Sequence, residues 1–438
     1  MRVKNAFRAV SVSLAVGLLL SGCGSAQKAS STTQITVWSW PPIIKQMVGP
    51  FEKANPNIKV KLQNVGTNTK EYTAINNALQ AGSGAPDVAG IEYYALPEYA
   101  LRGALSNLKQ FGADKFHADY TTGSWNQVSF NDGVWGMPCD GAPLLYMYNK
   151  EVYDKAGVTE APKTWEEFYQ AAKKLKAAGS YILSDGGDGG MYDSLLWQAG
   201  AKPYSISKDG KKLSIDLTKD SKAQKVLNYW QRMLDEQLLD TKTKAWSDEW
   251  TRSFGDGSVA SAIQGSWMMG TIASNPQAKG KWRIAEVPQW NEGDHINSEN
   301  GGTSYAVLKS SKHQEAAWKF VEFVSHSKQA QHVELISDQN HTPTLNPLLK
   351  SEKYIKEGYP ALKGVFGDQN IPEEIAKASS HVVRGYQNLP YEVYARSVFP
   401  DTAGAAYTGT ETLAKGIGQW QDQLVKYGVK QGFSVNGK

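Results

Sequence analysis

Apolar positions along the chain change period several times, and each change marks an element. Ala9 to Leu20 is an unbroken apolar run of about 12 residues, short of the roughly 20 that a membrane-spanning helix needs. Gln34 to Ser39 (QITVWS) is a β-branched and aromatic run that predicts a strand. Ile43, Ile44, Met47 and Phe51 follow at helical spacing, and Pro56 marks the stop. Ile58, Val60 and Leu62 then alternate as a second strand. This is a βαβ unit, so the two strands are expected to be parallel with a right-handed crossover. Tyr72, Ile75 and Leu79 form another helical stripe closed by Gly82 and Gly84, and Pro86 to Ile91 reads as a third short strand. Ligands of open α/β sheets sit beyond the carboxyl ends of the strands. Trp40, Glu92 and Tyr93 therefore stand where a binding site is expected.

Further along, Thr164-Trp165-Glu166-Glu167 is a capping box opening a helix with Trp165, Phe168, Ala172 and Leu175 on one face. His313 to Glu334 predicts one long helix with Ala317, Phe320, Val321 and Val324 inward. Gly- and Ser-rich breaks fall near 179–190 and 297–304, and no solenoid or propeller period is present.

A length of 438 residues suggests two or three domains, and 41% apolar against 21% charged residues is enough to build cores. A formal net charge of +4 is too small for a nucleic-acid-binding reading. Two cysteines exclude a disulfide framework and any thiolate-rich metal centre. Arg2, Lys4 and Arg8 before the apolar run, with Leu20-Ser21-Gly22-Cys23 after it, give the order of a secretory leader. The ending resembles the bacterial lipobox, which implies cleavage before Cys23 and acylation of its sulfur. Two acyl chains would supply the double signal that stable anchoring needs. Gly24 to Gln34 reads as a flexible tether of roughly 18 Å. With three of the positive charges in the leader, the remaining body is close to neutral.

The order of segments resembles the extracellular solute-binding proteins of ATP-binding-cassette importers, in the carbohydrate class related to maltose-binding protein. The carrying stretches are the lipobox, ITVWSW with NPNIKVKL, APDV, WGMPCDGAPLLYMYNK, PKTWEEFYQAAKKL, FGDGSVASAIQGSW, GGTSYAVLKSS, AAWKFVEFVSHSKQAQ and HTPTLN. They cover about 35 to 350, and the tail from about 351 is less distinctive. The resemblance implies an α/β protein with a two-lobed periplasmic-binding-protein-like fold, hinged around a ligand cleft. Residues 1–22 would be the signal peptide and 23–34 the tether. Lobe one would be 34–146 plus 302–345, and lobe two 147–301 plus 346–438. It further implies a carbohydrate ligand, expected to be an oligosaccharide, delivery to an importer's permease subunits, and a location on the outer face of the cell membrane. A monomer with neither cofactor nor bound metal is expected.

Sugars offer fans of hydroxyls and patches of C–H, which carboxylates and aromatic rings recognise respectively. Trp40 is the leading stacking candidate, with a place in the core as its alternative; Trp38, in the strand itself, is read as core. Glu92, at the third strand's end where the family often places a polar sugar contact, otherwise serves a helix start. Asp87 is read as a backbone cap and Asp140 as a binding residue at the turn facing the site. The resemblance puts Trp267 on the cleft wall. Trp197 sits in LLWQAG, where helix packing competes. Trp246 precedes a helix cap, and Trp250 is expected to face inward. Gly301 and Gly302 let a backbone approach a ligand or serve a hinge. Arg384 is the one clear cation of the tail considered for the cleft. Tyr148 and Asn149 read as strand packing and turn bonding, and Cys139 as a small packing residue.

The seven histidines include no His-Glu-x-x-His and make no local ligand set. Neither Gly-x-Ser-x-Gly nor a phosphate loop occurs, and the glycine-rich run at 186–190 lacks calcium spacing. The alternatives are a surface glycosidase using Glu92 and Asp140, and a solute-binding protein for a ligand other than sugar.

Overall fold

The β-branched run after the leader becomes the first of eight strands that build two sheets. They are β1 (Thr33–Trp38), β2 (Ile58–Gln63), β3 (Val88–Glu92), β4 (Met137–Asp140), β5 (Leu144–Asn149), β6 (Ser261–Gly265), β7 (Trp282–Ala285) and β8 (Thr303–Val307). The computed structural model describes residues 32–336 and 341–437. The leader, Cys23 and most of the tether lie outside the described residues.

The first sheet has the order β2-β1-β3-β8-β4. β1 runs parallel to β2 and β3. The crossover from β1 to β2 is helix α1 (Ile43–Ala54), whose buried residues are Ile43, Ile44, Met47 and Phe51, the stripe read from the spacing. Helix α2 (Thr69–Ala81) follows β2 and stops at Gly82, which takes the left-handed conformation at φ 65° that a helix end favours. Asp87 ties the sheet edge, accepting from the Thr36 amide at 2.7 Å and the Ser311 hydroxyl at 2.6 Å. β8 inserts antiparallel between β3 and β4, although the whole of the second sheet precedes it in the chain.

That second sheet is β6-β5-β7, antiparallel throughout. Every residue of β5 is buried. Leu145 and Met147 face a core continuous with the first sheet's, while Leu144, Tyr146 and Tyr148 face a second core. A strand covered on both sides reads as a continuous apolar run, which accounts for LLYMY. One face is covered by the all-buried helix α3 (Gly189–Gln198) and its neighbours.

The chain leaves the first sheet at Asp140 and enters the second at Leu144, so residues 141–143 make the crossing. The sequence boundary at 146/147 falls inside β5. The return passage is 297–302, and a third passage is 341–345.

One expected element differs. The single helix predicted over 313–334 is two, α4 (Gln314–His326) and α5 (Lys328–Ile336). Ser327 between them is extended (φ −66°, ψ 151°), and its hydroxyl accepts from the Ala330 amide at 3.0 Å. A serine that caps the following turn ends one helix and starts another, and apolar periodicity is blind to it.

Glu71, on α2, is fully buried, and neither carboxylate oxygen has a hydrogen-bond partner among the described residues. Burial, with repulsion from Glu92, pushes its pKa up to about 8. In the unfolded chain the value is about 4.3. Between those values the folded state holds the extra proton, so stability falls as pH rises through that window. Glu71→Gln is expected to raise the melting temperature near pH 8 and to remove a slope of at most about 1.4 kcal/mol per pH unit. Near pH 4 it should leave the melting temperature little changed. Thermal melts across pH check this.

Candidate ligand-binding cleft

Five separated stretches meet where the lobes face each other. β3 delivers Tyr93 and Tyr94 just past its carboxyl end, and the helix Thr122–Val128 contributes Gln127. From the other lobe, α3 gives Asp193, Ser194 and Trp197. The tail gives Tyr386, Asn388 and Arg396, the last from a helix that spans Glu392–Thr402. Glu299 and Gly301 of the return passage close the floor. The space enclosed is about 20 Å³, room for about one water.

The electrostatics centre on Arg396. Its Nε lies 3.3 Å from Glu392 Oε1 and 3.7 Å from Asp193 Oδ2, and the guanidinium sits 3.9 Å above the ring of Tyr94 across the cleft. Two acids share one cation, so one negative charge is in excess in a dry place. Burial first, then the Glu392 charge, push the Asp193 pKa well up. Asp193 Oδ1 accepts from the hydroxyls of Tyr386 at 3.0 Å and Tyr204 at 3.4 Å. Trp197 stacks on Tyr386 with centroids 5.2 Å apart at 7°, and its indole N–H donates to the Val383 carbonyl at 2.9 Å. Opposite, Glu92 Oε2 accepts from the Tyr72 and Tyr94 hydroxyls at 2.9 and 3.0 Å. Burial raises its pKa against the pull of those hydroxyls and of Arg396. Glu299 is buried with its pKa pushed up to about 8, and its Oε2 has no hydrogen-bond partner among the described residues. Two more contacts join the lobes: Asn388 Nδ2 donates to Gln127 Oε1, and Arg384 Nη2 to Thr122 Oγ1, both at 3.1 Å.

Of the residues singled out by sequence, Tyr93, Trp197 and Gly301 line this cavity. Glu92 stands one step behind it, through Tyr94. Gly302 (φ 83°) backs Tyr93, whose ring lies 2.5 Å from where a Cβ would be, so only glycine permits the approach. Arg384 is exposed at the rim. Trp246 and Trp267 stack with centroids 5.0 Å apart at 26°, and the Trp267 indole donates to the Asn300 carbonyl at 2.8 Å. Gly301 touches both Trp267 and the cavity, so this pair lies just outside the cavity's Gly301 wall, with Trp246 67% exposed.

Trp40 and Asp140 are not brought to the cavity. The chain turns at Pro41-Pro42, and the Trp40 ring packs over Gly90 of β3. Asp140 Oδ1 accepts from the Thr342 amide at 2.8 Å, and burial raises its pKa to about 7. It fastens one passage to another. Asp193, Glu299, Tyr386, Asn388 and Arg396 escaped the sequence reading. The available signal was Asp193, a lone carboxylate within the otherwise uncharged helix GGMYDSLLWQ.

The family described as bacterial extracellular solute-binding protein matches residues 32–331. An arabinooligosaccharide-binding protein of Bacillus subtilis (strain 168) is 28% identical over 332 residues, 71% of this chain and 74% of its own. A lactose-binding protein of Rhizobium radiobacter is 26% identical over 333 residues, 72% and 74% of the two chains. A solved structure is described as the ABC transporter associated binding protein from B. animalis subsp. lactis Bl-04 in complex with beta-1,6-galactobiose. It is 43% identical, with a TM-score of 0.81 over 93% of this chain and 100% of that one.

Removing Arg396 leaves two buried acids facing each other. Arg396→Met is expected to lower stability by about 3–5 kcal/mol near neutral pH. Asp193→Asn, which resembles the protonated acid, should cost about 1 kcal/mol or less. Urea denaturation of the two variants checks the order.

Proposed function

Because the chain belongs to the bacterial extracellular solute-binding protein family, we propose that it captures a carbohydrate between its lobes and delivers it to an ATP-binding-cassette importer. The observation that carries this is the facing of Asp193 and Glu299, with lone pairs to offer, against Tyr93, Trp197 and Tyr386 in one cleft. Carboxylate oxygens accept from sugar hydroxyls, and ring faces take the C–H patches. The two relatives described above are named for binding arabino-oligosaccharides and lactose, and the solved structure is a complex with beta-1,6-galactobiose. A sugar needs a few hundred Å³, so it enters only when the lobes part and the contact of Arg396 with Tyr94 opens. In this reading the two lobes turn as bodies about the crossings at 141–143, 297–302 and 341–345, so the first boundary lies at 141–143 and strand β5 moves whole with the second lobe. The Trp246–Trp267 pair at the outer end favours a ligand of more than one ring.

No bond in the sugar is broken. A glycosidase would need two carboxyl groups across one bond, and Asp140 of the Glu92–Asp140 pair is engaged with Thr342. The protein works as a monomer held to the outer face of the cell membrane by acylated Cys23. No helix among the described residues is long and apolar enough to cross a membrane.

Calorimetric titration with lactose, β-1,6-galactobiose and arabino-oligosaccharides is expected to give saturable binding to at least one. Trp197→Ala and Asp193→Asn should weaken it by about 10-fold or more. Trp246→Ala should weaken a longer sugar more than a disaccharide. The absence of heat with every neutral sugar, or release of reducing ends, overturns the reading. Separately, Cys23→Ser is expected to move the protein from the membrane fraction to the medium or periplasm and to abolish fatty-acid labelling.

A further inference from the structure

Away from the cleft, three side chains from distant parts of the chain converge. Glu286 directly follows β7, His295 lies in the loop before the return passage, and His381 caps the end of the helix Ile371–Ser380. Backbone pairing joins the two histidine-bearing segments: the Asn297 amide donates to the His381 carbonyl at 2.9 Å, and the Val383 amide to the Asn297 carbonyl at 3.1 Å. Glu286 Oε1 is then 2.9 Å from His381 Nδ1 and 3.4 Å from His295 Nδ1. The two imidazoles are 5.0 Å apart at 30°. One ligand atom from each of the three residues falls within 4.8 Å of the others.

The two separations between Glu286 and the histidines match a metal's first shell. Tetrahedral ligands at about 2.0–2.1 Å from zinc lie about 3.3 Å from one another. The second carboxylate oxygen, Oε2, accepts from Lys377 Nζ at 3.0 Å, which leaves Oε1 turned to the imidazoles. Ligating carboxylates are commonly oriented by such an outer bond. Glu286 and His381 are half-buried and His295 is exposed, so an ion reaches the site from solvent and water can fill the fourth position.

We propose that Glu286, His295 and His381 bind one divalent transition-metal ion of the zinc class. The ion ties the root of the return passage to residues 381–383, from which the cleft residues Tyr386 and Asn388 continue. None of the three ligands lines the sugar cavity, so the site is independent of the proposed sugar function.

The test uses the untagged full-length chain near pH 7.5, titrated with Zn²⁺ against a chromogenic chelator and with Co²⁺ followed by visible absorption. The expected result is one saturable equivalent, a tetrahedral Co²⁺ band and a higher melting temperature with Zn²⁺. His295→Ala, at an exposed position with little risk to folding, should weaken binding by about 10-fold or more, as should Glu286→Gln. Sugar titration of His295→Ala should remain normal. No stoichiometric binding, or binding that survives unchanged in His295→Ala, overturns the proposal.

Discussion

Three chain passages run side by side between the sheets, and the hydrogen bonds that knit them constrain everything else. The Gly141 amide donates to the Thr342 carbonyl at 2.9 Å, the Leu144 amide to the Ser298 carbonyl at 2.9 Å, and the Asn300 amide to the Ala142 carbonyl at 3.0 Å. Asp140 and the hydroxyls of Ser266, Thr342 and Tyr359 fasten the same region from the side. Buried backbone groups must stay paired, so the passages move together and the lobes can only turn about them. The freedom to turn sits in small residues: Gly141 and Ala142 on one passage, and Gly301 and Gly302, at φ 103° and 83°, on another. A few element-terminal residues absorbing a change in φ and ψ are what a hinge needs.

Closure about that hinge has an electrostatic consequence. In the proposed function it moves Tyr94 onto Arg396 while Asp193 and Glu299 lose water. Asp193 Oδ2 and Glu299 Oε2 then have no hydrogen-bond partner among the described residues. An acceptor left unpaired in a dry site costs about 1–3 kcal/mol, which opposes closure. In the proposed function the donors they lack are the hydroxyls of the sugar. The same acids that disfavour closing on nothing would favour closing on ligand, and that difference is what couples binding to lobe position.

The sequence reading was sound where structure is local. The strand, helix and strand from Thr33 to Gln63, the Gly82 stop and the Thr164 capping box each depend on residues a few positions apart. It misses what a single polar atom decides, as at Ser327, and position at a strand's end does not by itself place a side chain on the cavity. Trp40 follows β1 by two residues, yet the proline turn lays its ring over Gly90. The cleft itself is assembled from segments near 93, 127, 193, 299 and 386–396, and no spacing rule joins them. The metal ligands at 286, 295 and 381 are equally non-local, so a search for histidine motifs passes over them. Resemblance to a family carried the two-lobed fold, but the tail, where that resemblance was weakest, supplies Tyr386, Asn388 and Arg396.

The outer end of the cleft has its own logic. The Trp267 indole N–H is engaged by the Asn300 carbonyl, so what it can offer a ligand is its ring face. Trp246 stacks against that ring, and its backbone sits at φ 68°, a conformation bulky residues rarely adopt. Such conformations carry roughly 1–3 kcal/mol of strain, balanced here by the stacking contact. A sugar ring that takes Trp246's place on Trp267, or lies on its exposed side, exchanges one stacking partner for another at small net cost. In the proposed function, discrimination by ligand length would arise at this pair, while Asp193 and Glu299 would hold the first ring.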